Sequence, residues 1–232
     1  MSDADDQLAS RLAAIRARID AAARSAGRDP REVTLVGASK TQPAEVCAAA
    51  VRAGCNDLGE NRAQELLAKA PVLADDVTTA SAVRWHFIGQ LQRNKVRALA
   101  PWVQLWHSVD REPLAAEIAR HQPGARVLIE VSVAGEAQKG GVALGALDAL
   151  IDACRALDLR VEGLMTVPPL GVDPRPTFAT LREAAADRGL TALSMGMTED
   201  FEDAIAEGAT IVRVGRAIFG DRGSHRGVGL PG

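Results

Sequence analysis

The sequence predicts an α/β protein: a single (β/α)8 barrel of the TIM type with an extra helix at its N-terminus. Three observations predict it. Eight short apolar runs recur along the chain, most followed by a stretch with helical periodicity, several of them Ala-rich. The runs are hydrophobic at consecutive positions, as parallel strands covered by helices require. Eight such units fit into about 200 residues with no linker or low-complexity tract between them, which suits a closed barrel. An open doubly wound sheet is the alternative for the same alternation.

The elements follow in order. Residues 5–26 form a helix, because Leu8, Leu12, Ile15 and Ile19 recur at helical spacing with arginines between them. GRDP at 27–30 ends it, so residues 1–30 are an N-terminal helix packed on the barrel. Strands are expected at 33–39, 55–59, 85–89, 103–109, 126–132, 160–165, 191–196 and 210–215. Helices are expected at 43–53, 61–70, 91–99, 111–120, 145–156, 176–188 and 199–207, with a short one at 216–219. The barrel then spans 31–222, and GSHRGVGLPG at 223–232 is a flexible tail.

Composition narrows the function classes. The chain has 232 residues, net charge -3, 47% hydrophobic and 3% aromatic residues, and no tyrosine. The core must be built mostly from Ala, Val, Leu and Ile. The acidic balance, with no aromatic–basic pattern, argues against nucleic acid as a partner. No run reaches membrane-spanning length. The acidic start MSDADDQLASR has no apolar signal core, so a cytoplasmic location is expected. Cys47, Cys55 and Cys154 are odd in number and lack metal-ligand spacing, so neither a disulfide framework nor a metal site is expected. The four lysines, Lys40, Lys69, Lys95 and Lys139, carry no functional weight by their scarcity alone.

Barrel chemistry sits at the C-terminal ends of strands. VTLVGASKTQPAE places Lys40 just past the first strand. There it is either a surface charge or, if partial burial lowers its pKa, an amine that attacks a carbonyl. Asn61, in LGENRAQE, either caps the next helix or reaches a ligand. His86 reads as a hydrogen-bonded core histidine, and Gly89 as a close approach or a turn. Met165, beside two prolines in GLMTVPPLG, is a loop-rim residue or a soft wall for a flat ligand. In SMGMTED, Ser194 and Thr198 offer hydroxyls and Gly196 lets the backbone turn inward. Gly215 precedes a short helical run whose N–H groups suit a phosphate. Arg213, inside an apolar strand, needs partners for a charge it cannot shed; it either reaches the surface or donates to a ring nitrogen.

Six stretches in register, GASKTQP, GENRAQE, HFIGQLQRNK, GLMTVPP, SMGMTEDFEDAI and VRVGRAIFG, resemble the pyridoxal phosphate homeostasis proteins, relatives of the N-terminal barrel of alanine racemase. The resemblance runs from about residue 33 to residue 220. It implies a pyridoxal 5'-phosphate site in which Lys40 forms the Schiff base. Ser194 and Thr198 match the phosphate-loop hydroxyls, with Gly196 between them. Arg213 faces the pyridine nitrogen, Gly215 and Arg216 close over the phosphate, and Asn61 and Met165 line the pocket. Arg216 departs from the small residue, often threonine, expected after that glycine. The resemblance implies a non-catalytic protein that holds and supplies the cofactor in vitamin B6 homeostasis. Apo forms of enzymes that use the cofactor are its implied partners, and a monomer its implied state. A racemase would need a proton acceptor on each cofactor face, and the related enzyme takes its tyrosine from a second domain; neither feature is expected here. The alternatives are a weak cofactor-dependent enzyme acting on amino acids and a cofactor-free Schiff-base lyase acting on sugar phosphates.

Overall fold

The computed structural model describes residues 3–133 and 140–220. Eight parallel strands close on one another: β1 (Thr34–Ala38), β2 (Asp57–Glu60), β3 (Arg84–Phe87), β4 (Val103–Val109), β5 (Arg126–Ser132), β7 (Arg160–Met165), β8 (Ala192–Ser194) and β9 (Ile211–Val214). The pairing runs in that order, β9 returns to β1, and β4 joins β5, so the barrel has no free edge. A two-residue strand, β6 (Val142–Ala143), pairs with β5 alone and lies outside the ring; it is too short to show a period in the sequence.

The helices follow the expected order: α1 (Asp3–Ser25), α2 (Ala44–Arg52), α3 (Ala63–Asp75), α4 (Val96–Leu99), α5 (Glu112–His121), α6 (Leu147–Ala156), α7 (Arg175–Ala186), α8 (Phe201–Ala206) and α9 (Arg216–Phe219). Two expectations are corrected. The helix at 61–70 starts later and continues to Asp75 through an exposed Pro71, because Leu66, Lys69, Ala70 and Leu73 keep its inner face buried beyond the proline. The helix at 91–99 is a 3-10 turn at Arg93–Lys95 followed by one α-turn. The tail at 223–232 lies outside the described residues.

Two apolar cores result from the two faces of the strands. The larger lies between strands and helices and includes Phe87, Trp106, Phe178, Phe201 and Phe219. The smaller, Val36, Leu105, Leu128, Met165 and Ile211, plugs the barrel interior with one residue from each of five strands. Gly163 permits the β7–β8 approach, since a Cβ there would stand 1.8 Å from the Ala192 carbonyl oxygen.

Helix α1 is a further layer over α8, α9 and α2. Leu8, Leu12, Ile15, Ile19 and Ala23 form its buried stripe. Its arginines reach carbonyls of neighbouring elements: Arg11 Nε donates to Ile218 O at 2.7 Å and Arg16 Nη2 to Gly54 O at 2.6 Å. Beyond α1, Arg28 Nη1 donates to Ile205 O and Ala209 O at 3.0 and 2.8 Å, at the end of α8. Among the described residues no helix is long and apolar enough to cross a membrane.

Leu12 is 2% exposed in this layer. Leu12→Ala is expected to cost about 2–5 kcal/mol in urea unfolding. Arg18→Ala, at the exposed Arg18–Glu202 pair, is expected to cost at most about 1 kcal/mol.

Candidate functional site

A cavity of about 710 Å³ opens at the C-terminal ends of the strands, within the size range of small-molecule sites. Its walls come from the segment after β1 (Lys40, Thr41, Gln42), Asn61, Ile88, the loop after β7 (167–172), the loop after β8 (197–200), Arg213, and Gly215–Arg216.

Lys40 is exposed at this cavity, which answers the choice between a surface and a partly buried amine in favour of the surface. The segment that carries it is strained and held from below. Thr41 has φ 67°, a left-handed conformation unusual for a β-branched residue. Its N–H donates to the Glu65 carboxylate, and Gln42 N–H donates to Ser39 O at 3.0 Å. Beneath the segment lies a buried ion pair. Lys69 Nζ donates to Glu60 Oε1 at 2.5 Å and to Ser39 O at 2.9 Å, and Ser39 Oγ donates to Glu60 Oε1 at 2.7 Å. Burial pushes the Glu60 carboxyl above its ordinary range, against the pull of Lys69 and Ser39. Lys69 therefore ties α3 to the end of β2 and to the residue before Lys40.

The cavity floor is cationic. Arg213 on β9 is 5% exposed, and burial lowers its pKa to about 10, opposed by Glu130 and Asp200, so it remains protonated at neutral pH. Its Nη1 donates to Ser194 Oγ at 2.6 Å and its Nη2 to Thr166 O at 2.9 Å. Behind Ser194, the contacts continue through His107 and His86 to Asp57. Glu130, at the end of β5, is pushed up to about 7 by burial and by Asp110, with Arg213 and Arg111 pulling the other way. One of its oxygens, Oε2, is buried without a hydrogen-bond partner.

The rim is looser. Arg216 Nη2 reaches Glu199 Oε1 at 2.7 Å, linking the loops after β8 and β9, with both side chains well exposed. The first N–H groups of α9 have no intrahelical partner, as at any helix start. Gly215 allows β9 to pass β1 closely, since a Cβ there would stand 3.1 Å from Ala38 O.

The family model for the N-terminal domain of alanine racemase matches residues 10–223. The pyridoxal phosphate homeostasis protein of Pseudomonas aeruginosa is 44% identical over 225 residues, covering 93% of this chain and 96% of the relative. That of Escherichia coli K12 is 39% identical over 230 residues, covering 94% and 97%. The chain belongs to the pyridoxal phosphate homeostasis protein family. PipY of Synechococcus elongatus, a solved structure with pyridoxal phosphate bound, superposes with TM-score 0.79 at 33% identity, covering 92% of this chain and all of that one.

The structure brings six of the residues expected from this family into one cavity lining: Lys40, Asn61, Thr198, Arg213, Gly215 and Arg216. Asn61 does not cap α3, whose N-cap is Arg62. Its backbone packs on Gly89, where a Cβ would stand 2.3 Å from Asn61 O, so Gly89 serves close approach. Three expected residues are not in the lining. Ser194 is fully buried with its hydroxyl engaged by Arg213 and His107, so the phosphate-hydroxyl role does not fit it. Met165 belongs to the apolar plug inside the barrel and is not a pocket wall. Gly196 (φ 92°) serves the packing of α8, since a Cβ would stand 2.6 Å from Ala204 Cβ. Sequence reasoning missed Lys69, His107 and Glu60. The signal for Lys69 was present: it falls on the apolar stripe of α3 with Leu66, Ala70 and Leu73.

Removing Lys69 leaves the buried Glu60 carboxylate without a cation, with the Ser39 hydroxyl still donating to it. Lys69→Met is expected to cost about 3–5 kcal/mol in urea unfolding, with much of that recovered in the Lys69→Met, Glu60→Leu double variant. Glu130 sets a pH dependence. In the folded protein it keeps its proton up to about 7, whereas its ordinary value is 4.5. The folded state thus binds more protons in that window, and this group's contribution to stability falls as pH rises through it, by roughly 2–3 kcal/mol. Glu130→Gln is expected to be more favourable relative to wild type at about pH 8 than at about pH 4 by that amount, read by urea unfolding.

Proposed function

We propose that this chain binds pyridoxal 5'-phosphate reversibly, through a Schiff base at Lys40, as a non-catalytic carrier in intracellular vitamin B6 homeostasis. The observation that carries the reading is the shared cavity: an exposed amine on a braced segment, a donor-only guanidinium at the floor, and a rim of backbone N–H groups with the Thr198 hydroxyl. The donor set fits the cofactor. Lys40 adds to the aldehyde carbon and one water leaves; hydrolysis restores both partners, so capture is reversible. Arg213 donates to the pyridine nitrogen through N–H groups not engaged by Ser194 and Thr166. Thr198 and the backbone at Gly215–Arg216 receive the phosphate, and Asn61 lines the pocket. PipY of Synechococcus elongatus, similar over nearly the whole chain, has pyridoxal phosphate bound, which supports this reading.

The same residues favour binding over turnover. When bound, the cofactor supplies an electron sink whose strength depends on a protonated ring nitrogen. Arg213 offers no proton to that nitrogen at neutral pH, and the sequence contains no tyrosine to act as a second acid–base group. A monomer that hands its cofactor to apo forms of dependent enzymes is the role that follows from reversible capture at an exposed lysine.

The test is absorbance of wild type and Lys40→Ala incubated with pyridoxal phosphate, then borohydride reduction and mass analysis. The expected result is a yellow band and a single adduct at Lys40 in wild type only, with no sustained amino-acid turnover and with faster loading of an apoenzyme from the loaded protein than from free cofactor. A band that persists in Lys40→Ala, or steady Lys40-dependent turnover of an amino acid, would refute the reading.

A further inference from the structure

Four buried polar residues stand behind the cavity floor without lining it: Asp57, His86, His107 and Ser194. Their contacts run Asp57 Oδ1 to His86 Nε2 at 3.0 Å, His86 Nδ1 to His107 Nε2 at 2.8 Å, and His107 Nδ1 to Ser194 Oγ at 2.8 Å, ending where Arg213 Nη1 meets Ser194 Oγ at 2.6 Å. The protons in this chain can be placed link by link. A guanidinium only donates, so Ser194 accepts from Arg213. The Ser194 hydroxyl hydrogen then finds its acceptor in His107 Nδ1. With Nδ1 accepting, His107 carries its proton on Nε2 and donates to His86 Nδ1. His86 in turn carries its proton on Nε2 and donates to Asp57. Every link donates away from Arg213, and the last acceptor is a carboxylate.

The charges agree with that direction. Burial raises the Asp57 carboxyl, yet hydrogen bonds from His86 and Arg84 hold it at about 2, so it is ionised. Burial, with His86 and Arg213 nearby, puts His107 well below its ordinary value, so it is neutral. The groups facing the histidine pair are Asp57, Ser194 and Arg213, with Arg84 and Arg126 beside Asp57. A second proton on His107 would set its Nδ1–H against a hydroxyl already accepting from Arg213.

We propose that Asp57, His86, His107 and Ser194 are positioning residues for Arg213, fixing one rotamer and one hydrogen-bond direction so that its remaining N–H groups face a ring-nitrogen acceptor in the cavity. The inference rests on the cofactor reading above for the identity of that acceptor. The chain itself is a property of the ligand-free protein. Without it Arg213 would have only the Thr166 carbonyl as a direct hydrogen-bond anchor.

The test uses nuclear magnetic resonance of the full-length, 15N-labelled chain without ligand. His86 and His107 are expected as Nε2–H tautomers, and His107 is expected to stay neutral between about pH 6 and 8, where a free histidine would titrate. The Arg213 Nη signals are expected to be resolved by restricted rotation, to merge in Ser194→Ala, and to stay resolved in Ser194→Thr, which keeps the hydroxyl. His86→Leu, three links from the arginine, is expected to broaden the same signals and serves where Ser194→Ala does not fold. In a second arm, 15N-labelled pyridoxal phosphate is bound. Its ring-nitrogen shift is expected in the unprotonated range in wild type and displaced toward the protonated range in Ser194→Ala. A cationic or Nδ1–H ring in wild type overturns the proposal, as does an unchanged Arg213 in Ser194→Ala. A ring nitrogen unmoved in Ser194→Ala while the Lys40 adduct still forms also overturns it. No adduct in wild type defeats the cofactor reading instead, and the ligand-free signals still judge the chain.

Discussion

A cation in the interior of a closed barrel is the constraint on which the site depends. The barrel has no edge, so a side chain on the inner face of β9 can reach only the interior or the mouth. Arg213 is on that face, nearly inaccessible, and an unpaired guanidinium there would cost several kcal/mol. No carboxylate among the described residues forms an ion pair with it. Its compensation is distributed: a hydroxyl, a backbone carbonyl, Glu130 and Asp200 at longer range, and aligned histidine dipoles that end on Asp57. The interior of this barrel is consequently half apolar plug and half polar chain. The plug of Val36, Leu105, Leu128, Met165 and Ile211 keeps water out of the region where those dipoles are effective.

A second buried cation, Lys69, does for the Lys40 segment what the polar chain does for the floor. It binds the Ser39 carbonyl and Glu60 together, one residue before Lys40. The left-handed Thr41 then turns the chain sharply enough for the Lys40 side chain to face the cavity, and Glu65 holds the Thr41 N–H in place. Strain of about 1–3 kcal/mol at such a residue persists only where its surroundings over-determine it. The Glu60–Lys69–Glu65 cluster supplies that determination. One exposed amine is thus presented by two turns of buried electrostatics.

The barrel was legible in the sequence because each strand is a separate apolar run and each helix a separate stripe, and both are local signals. All eight ring strands and the N-terminal helix were expected where they occur, within a few residues. Arg213 was legible as an anomaly, a charge inside the run TIVRVG. Its partners were not. Ser194 and His107 are 87 residues apart and meet only through the closure of the ring. The family resemblance places Ser194 at a phosphate-loop hydroxyl, whereas strand parity turns it inward beside Arg213. Met165 was misjudged in the same way, since a strand-end residue with an inward side chain belongs to the plug. Lys69 was dismissed with the other lysines, although a lysine on an otherwise apolar helical stripe is itself a request for a buried carboxylate.

The floor and the rim of the cavity differ in stiffness, and the difference fits reversible capture. The floor is built from buried, multiply bonded charges that hold one geometry. The rim carries the Arg216–Glu199 pair with side chains 64% and 75% exposed, a contact of the kind worth about 0–1 kcal/mol. Such a pair can open at little cost. The arginine that replaces the expected small residue after Gly215 is held at the rim by that exposed pair. Leu170, in the same cavity lining, is 89% exposed. A site with a fixed floor selects the flat ring, and one with a weakly tied rim lets it leave. An enzyme that stabilises a carbanion gains from excluding water on both faces of the ring. A carrier gains from leaving one face accessible to the water or amine that releases its cargo.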